Sequence, residues 1–365
     1  MKKPDRICCC VDVAEDQRNA EIHGGSWRSV AGIDDREPAS FFLKERHAMQ
    51  YRELGRTGLR VSVVAMGCWP ISGMTSLDVN REDSLGTIRQ ALDAGVNFFD
   101  TAWSYGISEE LLADAAGTQR DAVVIATKGG LDREQGRQFH DARPDSLRRQ
   151  CEGSLRRLRT DRVDLYYLHA RDPSVPVAES AGAIAELIMA GKVLGAGASN
   201  LSLSELQEFQ AVCPLTAIQP AYNMLQREIE QEILPWCLQN QIAVCVYWPL
   251  LKGLLAGKLP RDYQFPDGDG RKKYPMFQGA EWVRNQDLLD DLRKIAADAG
   301  MELATMVVAW TIQQMGITTA LCGAKRAWQI RESAVAGSVQ LSDLVLTEID
   351  SALKRRGPPV TRAAV

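Results

Sequence analysis

Several polar side chains in this chain of 365 residues follow directly on short apolar runs. Asp100 follows Asn97-Phe98-Phe99, and Lys128 follows Val124-Ile125-Ala126-Thr127. His169, Ser199-Asn200, Gln219 and Tyr247 close or follow further runs of the same kind. An acid or base in such a place is costly unless it is paired. If the runs are neighbouring parallel strands, about 4.8 Å apart, Asp100 and Lys128 can pair with each other. Tyr105 stands five residues past Asp100, in the following loop, and can return its hydroxyl over the same spot. A free tyrosine titrates at about 10, and an adjacent cation lowers that value. The spacing therefore predicts a proton donor tuned by Lys128, with His169 orienting a substrate oxygen or sharing its proton. The set contains a general acid and an electrostatic tuner but no nucleophile. It suits a reaction in which hydride reaches a carbon while a proton reaches the attached oxygen.

Positioning these residues falls to a long alternation of apolar runs and amphipathic stretches that begins at residue 51. A first hairpin is predicted from Tyr51-Arg52-Glu53-Leu54 and Leu59-Arg60-Val61-Ser62, joined through Gly55-Arg56-Thr57-Gly58. Eight strands are then predicted at 63–67, 97–100, 123–127, 163–168, 193–198, 217–220, 243–247 and 319–322. Helices are predicted around 147–158, 181–190, 203–209, 229–238, 288–299, 303–314 and 328–336. The first of these has Asp145 or Ser146 as its cap, Gly191 ends the second, and Ser202 starts the third. Strand and helix in this alternation predict an α/β fold of the (β/α)8 TIM-barrel kind. An open doubly wound sheet would carry a glycine-rich turn after its first strand, and Gly67-Cys68-Trp69 is not one. Residues 251–286 interrupt the rhythm with a Gly/Pro/Lys-rich insertion, expected to be a lid or binding loop. Residues 342–356 predict a C-terminal helical extension.

Residues 1–48 have no sustained periodicity and no apolar core of signal-peptide length. They are expected to be a disordered extension, or to precede the true start at Met49. The barrel is expected to occupy residues 49–365. Net charge is −4, from 43 basic and 47 acidic residues, which argues against a nucleic-acid partner. No apolar run reaches the length of a membrane span. The nine cysteines show no Cys-x-x-Cys spacing, so a disulfide framework is not expected and a reducing, cytoplasmic location is. Of four histidines, two (His23 and His47) lie in the N-terminal tail, which leaves His140 and His169 for the main body. No metal site is predicted.

In order along the chain, these fragments resemble the aldo-keto reductase superfamily. They are Tyr51-Arg52-Glu53-Leu54-Gly55-Arg56-Thr57-Gly58, Phe99-Asp100-Thr101-Ala102 with Tyr105-Gly106, and Thr127-Lys128. Ser154-Leu155-Arg156-Arg157-Leu158 follows, running into Val163-Asp164-Leu165-Tyr166-Tyr167-Leu168-His169, then Ala198-Ser199-Asn200 and Tyr247-Trp248-Pro249-Leu250. Gly253-Leu254-Leu255-Ala256-Gly257-Lys258 completes the set. The resemblance spans residues 50–340. It implies reduction of an aldehyde or ketone by NADP(H), with Asp100, Tyr105, Lys128 and His169 as catalytic residues and Tyr105 as general acid. It further implies that Ser199, Asn200 and Gln219 hold the nicotinamide carboxamide and that Tyr247 stacks on the ring. Pro249, Leu250, Gly253, Leu255 and Lys258 would line the pyrophosphate path. Gly323, Lys325, Arg326, Gln329 and Ser333 would grip the adenosine 2′-phosphate, at a strand-to-helix turn suited to phosphate. Trp69, Trp103 and Trp248 are expected to shape the substrate pocket, with Trp282 a further candidate. Trp248 stands where a small residue is common in the family, Cys322 where proline is frequent, and Ala113 where glycine is common. A nicotinamide-sensing regulatory subunit with little turnover is the alternative function. The substrate and the oligomeric state are not legible.

Overall fold

The computed structural model describes residues 48–74, 78–134 and 137–360, so the expectations for residues 1–47, including His23 and His47, lie outside the described residues. A hairpin of β1 (Tyr51–Glu53) and β2 (Arg60–Ser62) comes first, paired antiparallel with Tyr51 opposite Ser62. The chain then runs through β3 (Val64–Gly67), α1 (Arg81–Asp93), β4 (Phe98–Asp100), α2 (Ser108–Ala116) and β5 (Val124–Gly129). A second hairpin, β6 (Leu131–Glu134) and β7 (Arg137–His140), precedes α3 (Pro144–Leu158), β8 (Val163–Leu168), α4 (Val177–Met189) and β9 (Val193–Ser199). Then follow α5 (Leu203–Val212), β10 (Leu215–Gln219), α6 (Ile233–Asn240), β11 (Ala243–Tyr247), α7 (Gly279–Asp298) and α8 (Leu303–Gln313). β12 (Thr319–Gly323), α9 (Ala327–Val335) and α10 (Asp343–Arg356) complete the order.

Strands β3, β4, β5, β8, β9, β10, β11 and β12 form a closed parallel barrel, sealed where Leu321 of β12 pairs with Ala65 of β3. These are the eight predicted strands, and the fold is the (β/α)8 TIM barrel. Strand pleating decides which residues face inward. Phe98, Val124, Ala126, Leu165, Tyr167, Ala217, Ala243, Cys245 and Leu321 fill the interior. Their neighbours Phe99, Ile125, Tyr166, Ile218, Val244 and Val246 pack outward against the helices. Two residues further along the inward parity come Asp100, Lys128, His169, Gln219 and Tyr247. The period of two therefore aims these polar groups into the mouth of the barrel. Gly197 belongs to the same inward row, because a Cβ there would sit 2.3 Å from the Tyr167 ring.

Leu54 and Val61 of the first hairpin join the interior cluster from the other end, where the strands begin. A Cβ on Gly55 would lie 2.4 Å from the carbonyl oxygen of Thr216, at the start of β10. The hairpin thus plugs the end opposite the polar mouth.

Several local expectations change. Helix α3 starts at Pro144 and has Arg143 in the cap position with no side-chain cap bond, so neither Asp145 nor Ser146 caps it. Ser202 does cap α5, in a reciprocal box with Glu205, and Gly191 takes the left-handed conformation after α4. Helices α1 and α2 and the β6–β7 hairpin are additions to the sequence reading. The insertion is shorter than read from sequence, since α7 begins at Gly279. Its aromatic residues pack on one another and on α7: Phe265 lies 5.3 Å from Phe277 and 6.3 Å from Trp282 of α7. No single helix among the described residues is long and apolar enough to cross a membrane.

Candidate active site

Asp100 and Lys128, at the ends of adjacent strands β4 and β5, are 4% and 1% exposed. Lys128 donates from Nζ to Asp100 Oδ1 at 2.5 Å and to the Thr101 carbonyl at 2.8 Å. Gln219 donates from Nε2 to Asp100 Oδ2 at 2.8 Å. Both carboxylate oxygens thus accept, an arrangement that favours the ionised form beside the Lys128 ammonium. Burial alone would pull the Lys128 ammonium down, but the attraction of Asp100 and its contact with the Tyr105 phenol hold it above the ordinary lysine range. Burial pushes Asp100 upward against the pull of Lys128 and Gln219.

Tyr105 comes back over this pair from the loop after β4. Its ring centroid lies 4.8 Å from Lys128 Nζ and 5.5 Å from the His169 ring, which it meets edge-on. Trp69 packs against the outer side of Tyr105 at 4.8 Å. Lys128 lowers the phenol's pKa as expected, yet burial, aided by the charge of Asp100, outweighs it and the net direction is upward. This reverses the sign expected from spacing alone, because desolvation of the phenolate exceeds the attraction of one partly neutralised cation. Tyr105 stays protonated through neutral pH. Burial, then the nearby Lys128 charge and His140, hold His169 well below the ordinary histidine range, so its ring is neutral. His169 Nδ1 is fully buried and without a hydrogen-bond partner, in a ring that meets Tyr105 edge-on.

A second chain of bonds starts from Gln219. Ser199 donates to the Gln219 carbonyl at 2.8 Å. Asn200 donates to Ser199 Oγ at 3.1 Å and to the His169 carbonyl at 3.0 Å, and accepts from the Tyr247 hydroxyl at 2.7 Å. Asn200 takes a left-handed backbone, φ 58°, which Asn tolerates. Ser199, Asn200, Gln219 and Tyr247 are therefore one network on the same mouth. Beyond Tyr247 the turn winds left-handed again at Trp248, Leu251, Lys252 and Gly253. At Trp248, Leu251 and Lys252, though not at the glycine, that conformation is strained, and such strain is seldom kept without a function. Pro249, Leu250 and Leu255 lie along this turn.

At the end of β12, a Cβ on Gly323 would meet the Pro70 ring at 2.8 Å. Lys325 and Arg326 follow at the start of α9. Gln329 is half-buried at this turn. Its Oε1 accepts from the backbone N–H groups of both Lys325 and Arg326, at 2.8 and 3.1 Å, and so shapes the turn. Ser333 is buried, and packs beside Cys322. Lys258 reaches α9 from the insertion, pairs with Glu332 at 2.7 Å and lies over the Trp328 ring. Lysine and arginine at the start of α9, with the left-handed turn after Tyr247, suit the phosphates of a dinucleotide, and a neutral His169 beside a protonated Tyr105 suits a carbonyl oxygen.

The tryptophans separate. Trp69 lines the mouth. Trp248 flanks Tyr247 at 5.2 Å, with Lys252 4.0 Å above its ring. Trp103 points elsewhere: Gly153 of α3 leaves room for its ring, Arg157 stacks on it at 3.8 Å, and its indole N–H donates to Asp132. It packs between elements outside the barrel wall. Trp282, on α7, packs against Phe265 and Phe277 of the insertion. His140 is exposed on β7. Sequence reading missed Glu109, buried in α2, which accepts from Thr127 Oγ1 at 2.6 Å and pairs with Arg157 at 3.1 Å. Among the described residues no group of three or more His, Cys, Asp or Glu is placed to hold a metal.

The aldo/keto reductase family model matches residues 63–354. This chain belongs to the aldo-keto reductase family. It is 37% identical over 287 residues to aldo-keto reductase YhdN of Bacillus subtilis, covering 77% of this chain and 87% of that one. It is 32% identical to an Escherichia coli protein named NADH-specific methylglyoxal reductase, covering 83% and 98%. Among solved structures it resembles a glycerol dehydrogenase from Gluconobacter oxydans, with TM-score 0.77 and 32% identity, covering 88% of this chain and 99% of that one. As a family member the chain is an oxidoreductase of small carbonyl compounds that uses a nicotinamide cofactor.

Proposed function

We propose that this aldo-keto reductase reduces an aldehyde or ketone with NADP(H), using Tyr105 as the proton donor. The observation that carries the reading is the buried Asp100–Lys128 pair beneath a protonated Tyr105, beside a neutral His169. The carbonyl oxygen would sit between Tyr105 and His169. His169, being neutral, can orient that oxygen by hydrogen bonding without competing as an acid. Tyr105 gives its proton to the oxygen as negative charge develops there, and Lys128 stabilises the phenolate left behind. Asp100 keeps Lys128 charged and in place. When bound, the nicotinamide supplies the hydride.

Ser199, Asn200 and Gln219 would hold the carboxamide, and Tyr247 would support the ring. The turn 248–255, with Lys258, would hold the pyrophosphate. Lys325 and Arg326 favour the 2′-phosphate of NADP(H) over the hydroxyl of NAD(H), although the Escherichia coli relative is named NADH-specific. Trp69 and Trp248 would border the substrate. The six described cysteines are free and buried, in keeping with a reducing, cytoplasmic location.

Tyr105→Phe is expected to lower kcat by about a thousandfold. NADPH should bind that variant as before, followed by fluorescence titration. The assay is loss of NADPH absorbance over a panel of aldehydes and ketones. Undiminished turnover in the variant would remove Tyr105 from the role.

A further inference from the structure

Lys325 and Arg326 are not left to solvent. Asp78, in the loop that precedes α1, reaches both, from a position 247 residues earlier in the chain. Lys325 Nζ contacts the two Asp78 carboxylate oxygens at 2.9 and 3.2 Å. Arg326 Nη2 donates to the Asp78 carbonyl at 2.8 Å and lies 3.4 Å from Oδ2, while its Nη1 is 3.5 Å from Asp83. Asp269 of the insertion also feels the Lys325 charge, although its own hydrogen bonds go to Arg271. The two cations assigned to a phosphate already share an internal carboxylate.

We propose that Asp78 sets the choice between phosphorylated and unphosphorylated dinucleotide, occupying by its own charge the place a 2′-phosphate would take. The inference rests on the reading of Lys325 and Arg326 as 2′-phosphate ligands. A phosphate dianion must part Asp78 from both cations and then tolerate a carboxylate nearby. A ribose 2′-hydroxyl faces no such cost, and can donate to Asp78 as it does to the acidic residue of other dinucleotide sites. Asp78 therefore holds back NADPH and favours NADH, so that the chain discriminates less than its two cations would alone. The pairs are partly exposed, Asp78 by 58% and Lys325 by 35%, so the effect is moderate and falls with salt.

The test compares dissociation constants of NADPH and NADH, by tryptophan fluorescence, for wild type, Asp78→Asn and Lys325→Ala. Titration of 2′-AMP against 5′-AMP gives the same contrast without the nicotinamide. Asp78→Asn is expected to bind NADPH about fivefold more tightly, with NADH unchanged or weaker, and the gain should shrink at high salt. Lys325→Ala is expected to weaken NADPH alone, by about tenfold. An unchanged NADPH-to-NADH ratio in Asp78→Asn, with NADPH weakened in Lys325→Ala, overturns the role of Asp78 and leaves the phosphate reading standing. Unaltered NADPH binding in Lys325→Ala overturns both. Asp78 lies at the surface, so the variant should melt with the wild type, and circular dichroism checks this.

Discussion

Tyr105 owes its behaviour to two opposed effects that differ in reach. Lys128 favours the phenolate through one close contact, whereas burial disfavours it from all sides, and burial prevails. The consequence is a sign. Reduction needs the protonated phenol, so kcat for reduction should be level from about pH 6 to 9 and fall only above the ordinary tyrosine range. Oxidation of the matching alcohol needs the phenolate, so its kcat should climb steadily with pH over the same interval. Neutral His169 contributes no limb in that window, because its proton is already gone. Measuring kcat in both directions at saturating cofactor checks this. A reductive limb falling between pH 7 and 8 would mean that a stronger acid than Tyr105 donates the proton. At this scale the sequence exposed Asp100, Lys128 and His169 because charge directly behind an apolar run needs a partner. It could not reveal the direction of the Tyr105 shift, since desolvation depends on what folds over the ring. Nor could it reveal Asp78, an exposed loop residue whose partners lie at the other end of the chain.

Elements were legible where they alternate with a clear period. The inward and outward sets of β5 and β8 follow from their pleat, and so does the approach of Lys128 to Asp100. The β6–β7 hairpin was illegible for the opposite reason. All four residues of β7 are exposed, so no apolar period marks them. Trp103 was misplaced because following a strand end does not fix the direction of a side chain, and only Gly153 across the gap provides space for its ring. That ring belongs to an arrangement that supports the site from behind. Thr127, on the outward face of β5, donates to Glu109 of α2, and Arg157 of α3 pairs with Glu109 while stacking on Trp103. Breaking one partner of a buried pair strands a charge, at a cost of about 3–5 kcal/mol. Arg157→Leu should therefore lower unfolding stability by about 3 kcal/mol in urea, because the side chain of Glu109 is fully buried. Adding Glu109→Gln to that variant should restore part of the loss, since no charge then remains to be stranded. Equal damage in the single and double variants would mean that the loss is one of packing and not of charge.

For the whole molecule, closure by β12 on β3 divides the barrel into two ends with different duties. One end gathers the groups proposed to handle proton, substrate and phosphate. The other is closed by the first hairpin, whose Leu54 is wholly buried among interior side chains. This division follows from the fold, in which chemistry sits at the strand C-termini and the opposite face carries stability. The sequence indicated the first end through its polar strand ends, and predicted the hairpin without assigning it a place in the barrel. It did not indicate that the hairpin serves as a plug, because that depends on Gly55 approaching the Thr216 carbonyl from a distant strand. Leu54→Ala should leave a cavity that close-packed neighbours fill only in part, at about 2–5 kcal/mol, and lower Tm by roughly 5 °C. The kcat and KM measured well below that transition should match the wild type, since no atom of the polar mouth rests on Leu54. Calorimetry beside steady-state kinetics checks both halves. A variant that melts normally, or one that melts early and also loses kcat at low temperature, would mean that the two ends are not independent.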